Sequence, residues 1–230
     1  MFRVAITTAE DRASRLSDMA RGHGLEPVSL PCIDVIPAPE DQLSGARSQA
    51  AEADWLVVTS SRAIDTLWPG GGMPDVPVAV VGSSTAEVAV RAGGRVAVVG
   101  DGGAEDLVEE LAGHVGGKSV FFPHASGADP ATLYRLGEAG AEVAASAVYE
   151  TRPIGPGADP VDAAIFGSPS AVSGWCRSRS LGDLVLAAIG KATGAALVER
   201  GHHPDVVPPH PDFELLISLL AAHLAERSPV

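Results

Sequence analysis

The feature that most constrains the fold is a strand–glycine–helix pattern that occurs twice. The stretch VAVVGSSTAEVAVRAGG, residues 78–94, runs from β-branched residues through a glycine into small, helix-compatible residues. The stretch LAAIGKATGAALVERG, residues 186–201, repeats this layout in the second half of the chain. A strand that turns through a glycine into a helix is the corner of a βαβ unit. The sequence therefore predicts that the same corner is built twice.

The two halves of the chain also match at fixed offsets. An offset of 108 pairs Asp54 with Asp162, Ser60 with Ser168, Gly82 with Gly190, Thr85 with Thr193, Leu107 with Leu215 and Leu111 with Leu219. An offset of 116 pairs Val4 with Val120, Ala9 with Ala125, Gly24 with Gly140, Glu26 with Glu142 and Pro37 with Pro153. We interpret the chain as two diverged copies, residues 1–116 and 117–230. Two copies are too few for a solenoid, so two similar α/β lobes with a cleft between them are expected.

Strand-like and helix-like segments alternate along both copies. Strand-like runs are RVAI, PVSL, IDVI, WLVVT, two VAVVG runs, VFF, EVAA, AVYE, AAIF, VLAAIG and DVV. Apolar residues at helical spacing predict helices over residues 11–21, 104–115, 132–139 and 213–226. This alternation predicts doubly wound βαβ units and a mostly parallel sheet.

Composition excludes several classes of protein. The formal net charge of −13 repels nucleic acid and anionic membranes, and it would also repel a polyanionic small molecule unless local donors overcame it. Aromatic residues are only 4% of the chain, which does not suit a nucleic-acid stacking platform. No apolar run reaches the roughly 20 residues of a membrane span, and the N-terminus lacks a signal-peptide layout. Cys32 and Cys176 are isolated, which suggests neither a disulfide framework nor a zinc motif, so we expect a cytoplasmic protein. Prolines interrupt the histidines of GHHPDVVPPHPD, so we expect no metal site there.

Five short motifs, in this order and spacing, resemble one family. They are TSSRA at residues 59–63, VGSSTA at 81–86, YETRP at 149–153, GSPSAV at 167–172 and IGKAT at 189–193. Over essentially its whole length the chain resembles uroporphyrinogen-III synthases. The resemblance implies a cofactor-independent lyase of tetrapyrrole and haem biosynthesis. Such an enzyme cyclises hydroxymethylbilane with loss of water and inverts the terminal pyrrole ring to give uroporphyrinogen III.

The resemblance also implies an architecture that the repeat alone does not give. Two similar doubly wound, flavodoxin- or Rossmann-like lobes would be joined by a two-segment extended linker. Residues 1–33 and 153–230 would form the first lobe, residues 38–147 the second, and residues 34–37 and 148–152 the linker. A monomer is expected, with a possible transient contact with porphobilinogen deaminase, which supplies the substrate.

The substrate of this family carries eight carboxylates, so the duplicated corners are predicted to bind anions. Exposed N–H groups at helix N-termini favour negative charge. The predicted substrate-binding residues are Ser60, Ser61, Arg62, Gly82, Ser83, Thr85, Ser168, Lys191 and Thr193. The catalytic prediction is Tyr149 in AVYETRP, whose protonated hydroxyl can donate to the departing oxygen. The alternative is structural: Ser and Thr after a strand are ordinary helix caps, and Tyr149 packs on the linker.

Two departures from the family pattern keep other functions open. Thr7-Thr8-Ala9 stands where many bacterial members have Thr-Arg-Pro, although Arg12 or Arg15 could replace the lost contact. Ala192 stands where some members have a second threonine. A catalytically degenerate homologue that binds tetrapyrrole or another polyanion is one alternative. A two-lobed small-molecule binding or regulatory protein is another, since a fold does not fix a function.

Overall fold

The computed structural model describes residues 1–100 and 103–227. In chain order its elements are β1 (Arg3–Ile6), α1 (Glu10–Gly22), β2 (Glu26–Ser29), β3 (Ile33–Pro37), α2 (Glu40–Glu52), β4 (Trp55–Val58), α3 (Ser61–Leu67), β5 (Pro77–Val81), α4 (Ser83–Arg91), β6 (Arg95–Gly100), α5 (Ala104–Val115), β7 (Ser119–Ala125), α6 (Ala131–Glu138), β8 (Glu142–Pro153), β9 (Ala163–Phe166), α7 (Pro169–Trp175), β10 (Val185–Ala188), α8 (Lys191–Val198) and α9 (Phe213–Glu226). Within those described ranges, no helix combines the length and apolar character that crossing a membrane requires.

The chain divides into two compact units. Unit 1 comprises Met1–Val35 and Thr151–Val230, so it is built from both ends of the chain. Unit 2 comprises Ile36–Glu150. Strands β3 and β8 each run across a boundary between these ranges. The predicted lobe ranges also included residues 101–102 and 228–230, which lie outside the described residues.

Unit 1 contains a parallel sheet in the order β10-β9-β1-β2. Strands β9 and β10 are buried at every residue, because helices cover both faces of the sheet. Successive side chains along a strand point to opposite faces. Accordingly Val4 and Ile6 pack with α1 and α9, whereas Ala5 packs with α7 and α8.

Unit 2 contains a six-stranded sheet in the order β3-β8-β7-β4-β5-β6. The four successive pairs from β8 to β6 are parallel. Val57 and Ala79 pack with α5 and α6 on one face. The alternate residues Leu56 and Val58 are fully buried on the opposite face, where α3 and α4 pack against the strands.

The prediction of an α/β fold with parallel sheets is confirmed, two local strand predictions are corrected, and helix α2 was not predicted. EVAA and AVYE are not separate strands but parts of β8, because no Gly or Pro interrupts the chain before Pro153. DVV forms only a single bridge between Ala187 and Val206, since Pro204 and Pro208 flank it and have no N–H to donate. The unpredicted helix α2 buries mainly small residues, so its apolar periodicity is weak in sequence.

Candidate functional site

Each unit has a point where helices leave adjacent strands toward opposite faces of the sheet. In unit 1 these strands are β1 and β9: α1 packs on one face and α7 on the other. In unit 2 these strands are β4 and β7. Helix α6 packs on the face that α5 also covers, whereas α3 packs on the opposite face, beside α2 and α4. Ligands of open α/β sheets bind at the carboxyl ends of the strands at such switch points. These two edges are therefore the candidate site regions.

Tyr149 lies at the switch point of unit 2. It pairs with Ala125 at the end of β7, next to an irregularity in the strand register at His124. Its side chain is buried, with 8% of its surface exposed. Its hydroxyl donates a hydrogen bond to Ser60 Oγ at 3.3 Å, so it reaches from β8 across β7 to the residue that follows β4. The sequence placed Tyr149 near a connection but did not predict this partner.

The residues after β4 form a capped helix start. Ser60 has extended backbone and caps α3, its Oγ accepting a hydrogen bond from the Arg62 N–H at 3.2 Å. Ser61 is the first residue of the helix. Ser61 and Arg62 are both half-buried, and Thr66 donates to the Arg62 carbonyl at 2.8 Å. Ser60 therefore caps the helix, as the structural alternative predicted. Because capping uses the serine oxygen as an acceptor, it does not use the hydroxyl hydrogen, which can still be donated.

The corner after β5 presents backbone donors. Gly82 has φ of +77°, a conformation that favours glycine over any other residue. Within the described chain α4 has no side-chain cap at its N-terminus. Ser83 is exposed, whereas Thr85 is buried and its N–H bonds the Gly82 carbonyl at 3.2 Å. The first N–H groups of α4 are therefore directed away from the strand and available to an anion.

Unit 1 repeats this arrangement with differences. Ser168 caps α7 by accepting from the Ala171 N–H at 3.2 Å. Lys191, the first residue of α8, is exposed, and Thr193 is buried. Gly190 is extended, at φ of −179°, so this corner does not need the backbone freedom of Gly82. The serine, the lysine and the threonine all follow carboxyl ends of neighbouring strands of one sheet.

Thr7 and Thr8, which the sequence analysis considered only as a departure from the family pattern, also lie at the switch point of unit 1. Thr7 Oγ1 is buried and donates to the Ile165 carbonyl at 2.6 Å, which ties the end of β1 to β9. Thr8 Oγ1 is buried, and no described residue forms a hydrogen bond with it. The signal that identifies both is their place directly after β1, because side chains there meet those after β9.

The acidic side chains of one helix are exposed, and one thiol is buried. The acidic side chains of α5, namely Glu105, Asp106, Glu109 and Glu110, are exposed on the surface of that helix. Burial raises the pKa of the Cys32 thiol to about 12, with Arg179 lowering it and Cys176 raising it by smaller amounts, so Cys32 stays protonated. Among residues 1–100 and 103–227, no group of three or more His, Cys, Asp or Glu side chains could hold a metal ion.

Known proteins resemble this chain in sequence and in structure. A protein of Methanothermobacter thermautotrophicus, strain Delta H, that is provisionally named a uroporphyrinogen-III synthase is 28% identical over 181 residues, which are 74% of this chain and 72% of the relative. The structure of uroporphyrinogen-III synthetase from Helicobacter pylori 26695 has a TM-score of 0.67 at 18% identity and covers 97% of this chain and 100% of that one. A mutant uroporphyrinogen III synthase from the extreme thermophile Thermus thermophilus has a TM-score of 0.64 at 19% identity, covering 99% and 100%.

These two structures share the fold of this chain. The family model described as "Uroporphyrinogen-III synthase HemD" matches residues 14–218, which include the switch point of unit 2 and every predicted site residue. The chain belongs to the uroporphyrinogen-III synthase family.

Proposed function

We propose that this chain carries out its family's reaction with Tyr149 as the proton donor and the two carboxyl-end edges as the substrate site. The enzyme is a cyclising lyase of tetrapyrrole biosynthesis: it converts hydroxymethylbilane to uroporphyrinogen III with loss of water and inversion of the terminal pyrrole ring. The family match over residues 14–218 supports the reaction. The hydrogen bond from the Tyr149 hydroxyl to Ser60 at a switch point supports the site.

Substrate binding depends on donors that oppose the acidic net charge of −13. The first N–H groups of α4 and α8 face outward from Gly82 and Gly190, and no described side chain caps either helix. Each such interaction with a carboxylate contributes about 0.3–1 kcal/mol at a surface. The remaining predicted residues add hydroxyl and cationic donors: Ser60, Ser61, Arg62, Ser83, Thr85, Ser168, Lys191 and Thr193. Several weak contacts together hold a flexible octa-anion.

Tyr149 supplies the acid for the first chemical step. The hydroxymethyl oxygen leaves as water once it receives a proton, and the electrophile that remains is attacked by the terminal ring through its substituted carbon. A phenol is protonated at neutral pH and can donate in this step. The spiro intermediate formed by that attack then rearranges, which inverts the ring before closure. Holding the chain in the conformation that permits inversion is the harder task, and it falls to the carboxylate contacts.

The two units act as lobes that the linker joins. Residues 34–37 and 148–152 are the proposed linker segments, between a discontinuous lobe of residues 1–33 and 153–230 and a lobe of residues 38–147. Units joined by short segments move relative to each other by default, so we propose that ligand binding makes the molecule more compact. Small-angle scattering with and without saturating product tests this, and an unchanged radius of gyration would contradict it. We propose a cytoplasmic monomer without cofactor that contacts porphobilinogen deaminase transiently.

The decisive experiment is a coupled reaction. Porphobilinogen deaminase supplies hydroxymethylbilane in the presence of this protein, and the uroporphyrin isomers are separated after oxidation. Added protein is expected to divert the product from isomer I, which forms without enzyme, to isomer III. An unchanged isomer ratio with folded protein would reject the enzymatic function and leave a degenerate homologue that only binds tetrapyrrole.

A further inference from the structure

The geometry at Tyr149 raises the question of how its proton reaches the substrate. The side chain is 8% exposed, so most of the phenol is covered by protein. Its hydroxyl hydrogen is directed at Ser60 Oγ, 3.3 Å away. Ser60 itself is half-buried and follows the carboxyl end of β4, at the edge where a ligand would lie. Ser60 is therefore the more accessible member of the tyrosine–serine pair at this edge of the sheet.

The hydrogen bonds of Ser60 fix the direction in which its own hydroxyl acts. A serine oxygen has two acceptor lone pairs and one hydrogen to donate. One lone pair accepts the Arg62 N–H at 3.2 Å, and the other accepts the Tyr149 hydroxyl at 3.3 Å. With both acceptor positions filled, the remaining capacity of Ser60 is donation. Ser60 can therefore accept a hydrogen from Tyr149 and donate its own hydrogen to a ligand, which is what a proton relay requires.

We propose that Ser60 relays the proton of Tyr149 to the departing hydroxyl of the substrate. This inference depends on the proposed function. The carbon–oxygen bond breaks with its electron pair going to oxygen, which takes the hydroxyl hydrogen of Ser60 and leaves as water. Ser60 takes the Tyr149 proton in the same step, so tyrosine becomes a phenolate. Ring closure later releases one proton from a pyrrole carbon, and that proton restores Tyr149; the overall reaction is substrate to product plus water.

The matching position in the other copy separates relay from capping. Ser168 corresponds to Ser60 and caps α7 in the same manner. The position that corresponds to Tyr149 at the offset of 116 is Ile33, which has no hydroxyl. Capping accounts for a serine in both copies, whereas the bond from a phenol is found at Ser60. The tyrosine–serine pair is therefore an addition to the shared corner.

The test is a double-mutant cycle between Ser60→Gly and Tyr149→Phe. Glycine preserves most of the capping free energy, costing only a few tenths of a kcal/mol, but removes the hydroxyl. Ser60→Thr restores a hydroxyl at the same place. Asp212→Gly is the control for capping, because Asp212 caps α9 by accepting from the Leu215 N–H at 3.0 Å. The readouts are the single-turnover rate of isomer III formation at saturating hydroxymethylbilane and its solvent deuterium isotope effect.

We expect Ser60→Gly and Tyr149→Phe each to slow the single-turnover rate by about tenfold to a hundredfold, below the usual range for general acids because this hydroxyl also leaves unaided. The double variant should be no slower than the slower single variant, and the isotope effect should fall in all three. Ser60→Thr should recover most of the rate, and Asp212→Gly should leave it unchanged. A Ser60→Gly enzyme with the wild-type rate, or effects that multiply in the double variant, would overturn the relay. Failure of the proposed function would instead appear as absence of isomer III with the wild-type chain.

Discussion

The two units use the same strand order but differ in what lies at its centre. Unit 1 has β10-β9-β1-β2, and unit 2 has β5-β4-β7-β8 within its larger sheet. These strands correspond one to one under the offsets of 108 and 116. At the switch point, unit 2 has a hydrogen-bonded Tyr149–Ser60 pair, whereas unit 1 has Ser168 and Ile33 in the matching positions. Under the proposed function, duplication supplies two corners that bind carboxylates, and the Tyr149–Ser60 pair supplies acid chemistry at one of them.

A shared device pins the strands in both units. Asp54 Oδ2 accepts from the Ser119 N–H at 2.9 Å, and the Asp54 N–H donates back to the Ser119 carbonyl at 3.0 Å. Asp162 Oδ2 accepts from the Arg3 N–H, and the Asp162 N–H donates back to the Arg3 carbonyl, both at 2.8 Å. In each unit, the aspartate that precedes β4 or β9 thus forms two hydrogen bonds with the backbone of the first residue of the neighbouring strand, β7 or β1, and fixes where that strand starts. This is a structural role, and it explains why the repeat retains these residues without a ligand.

The largest expected effect comes from the helix that differs most in its packing. A Cβ on Gly174 of α7 would overlap the Cys32 carbonyl oxygen and lie 2.7 Å from that of Ile154, so α7 packs backbone against backbone. The corresponding residue of α3 is Thr66, which has a side chain. We expect Gly174→Ala to lower the free energy of unfolding by about 3 kcal/mol or more, and Thr66→Ala by less than about 1 kcal/mol. Urea unfolding followed by tryptophan fluorescence measures both, and equal effects would contradict the comparison.

The next effect concerns the tyrosine of unit 2. Tyr149→Phe is expected to slow isomer III formation by about tenfold to a hundredfold, or about 1.4–2.7 kcal/mol in the barrier, without abolishing it. The change removes one hydroxyl and retains the ring, so the fold should be intact by circular dichroism. Ile33→Val, at the matching position of unit 1, is the control and should leave the rate unchanged. Wild-type turnover in Tyr149→Phe would remove the chemical distinction between the two units.

A smaller effect is expected where the two units are equivalent. Thr85→Val and Thr193→Val each remove one hydroxyl from a buried position in the matching corners. Each loss is expected to weaken product binding by about threefold to tenfold, the usual contribution of a hydrogen bond, and the two should add because the sites are independent. Isothermal titration with uroporphyrinogen III under anaerobic conditions provides the affinities. A loss confined to one variant would mean that only one corner binds substrate.

The smallest effect is a pH dependence at a strand-pinning aspartate. Hydrogen bonds from the Ser119 backbone and then from its side chain hold the pKa of Asp54 below its ordinary value, with Lys118 contributing less. A carboxyl with a lowered pKa stabilises the folded state above its unfolded pKa of about 3.9, and this contribution is lost as the pH falls through the folded pKa. Asp54→Asn should therefore be less stable than wild type at pH 7, and the difference should vanish in acid. Asp75→Asn is the control, because the Asp75–Arg95 ion pair is exposed; a difference that persists at low pH would contradict the assignment.

The sequence by itself determined the parallel α/β layers, because buried strands are continuous apolar runs and the helices predicted over residues 11–21, 104–115, 132–139 and 213–226 show an apolar stripe. It also determined where the corners lie, since Gly82 and Ser60 follow strands and match Gly190 and Ser168. Only the tertiary structure decided that Tyr149 meets Ser60, 89 residues away in sequence, and that Gly174 packs on Cys32. The reason is that such contacts depend on strand register, including the irregularity at His124, and on the distance between backbones. Local patterns specify which face a residue occupies, but not which distant residue lies opposite it.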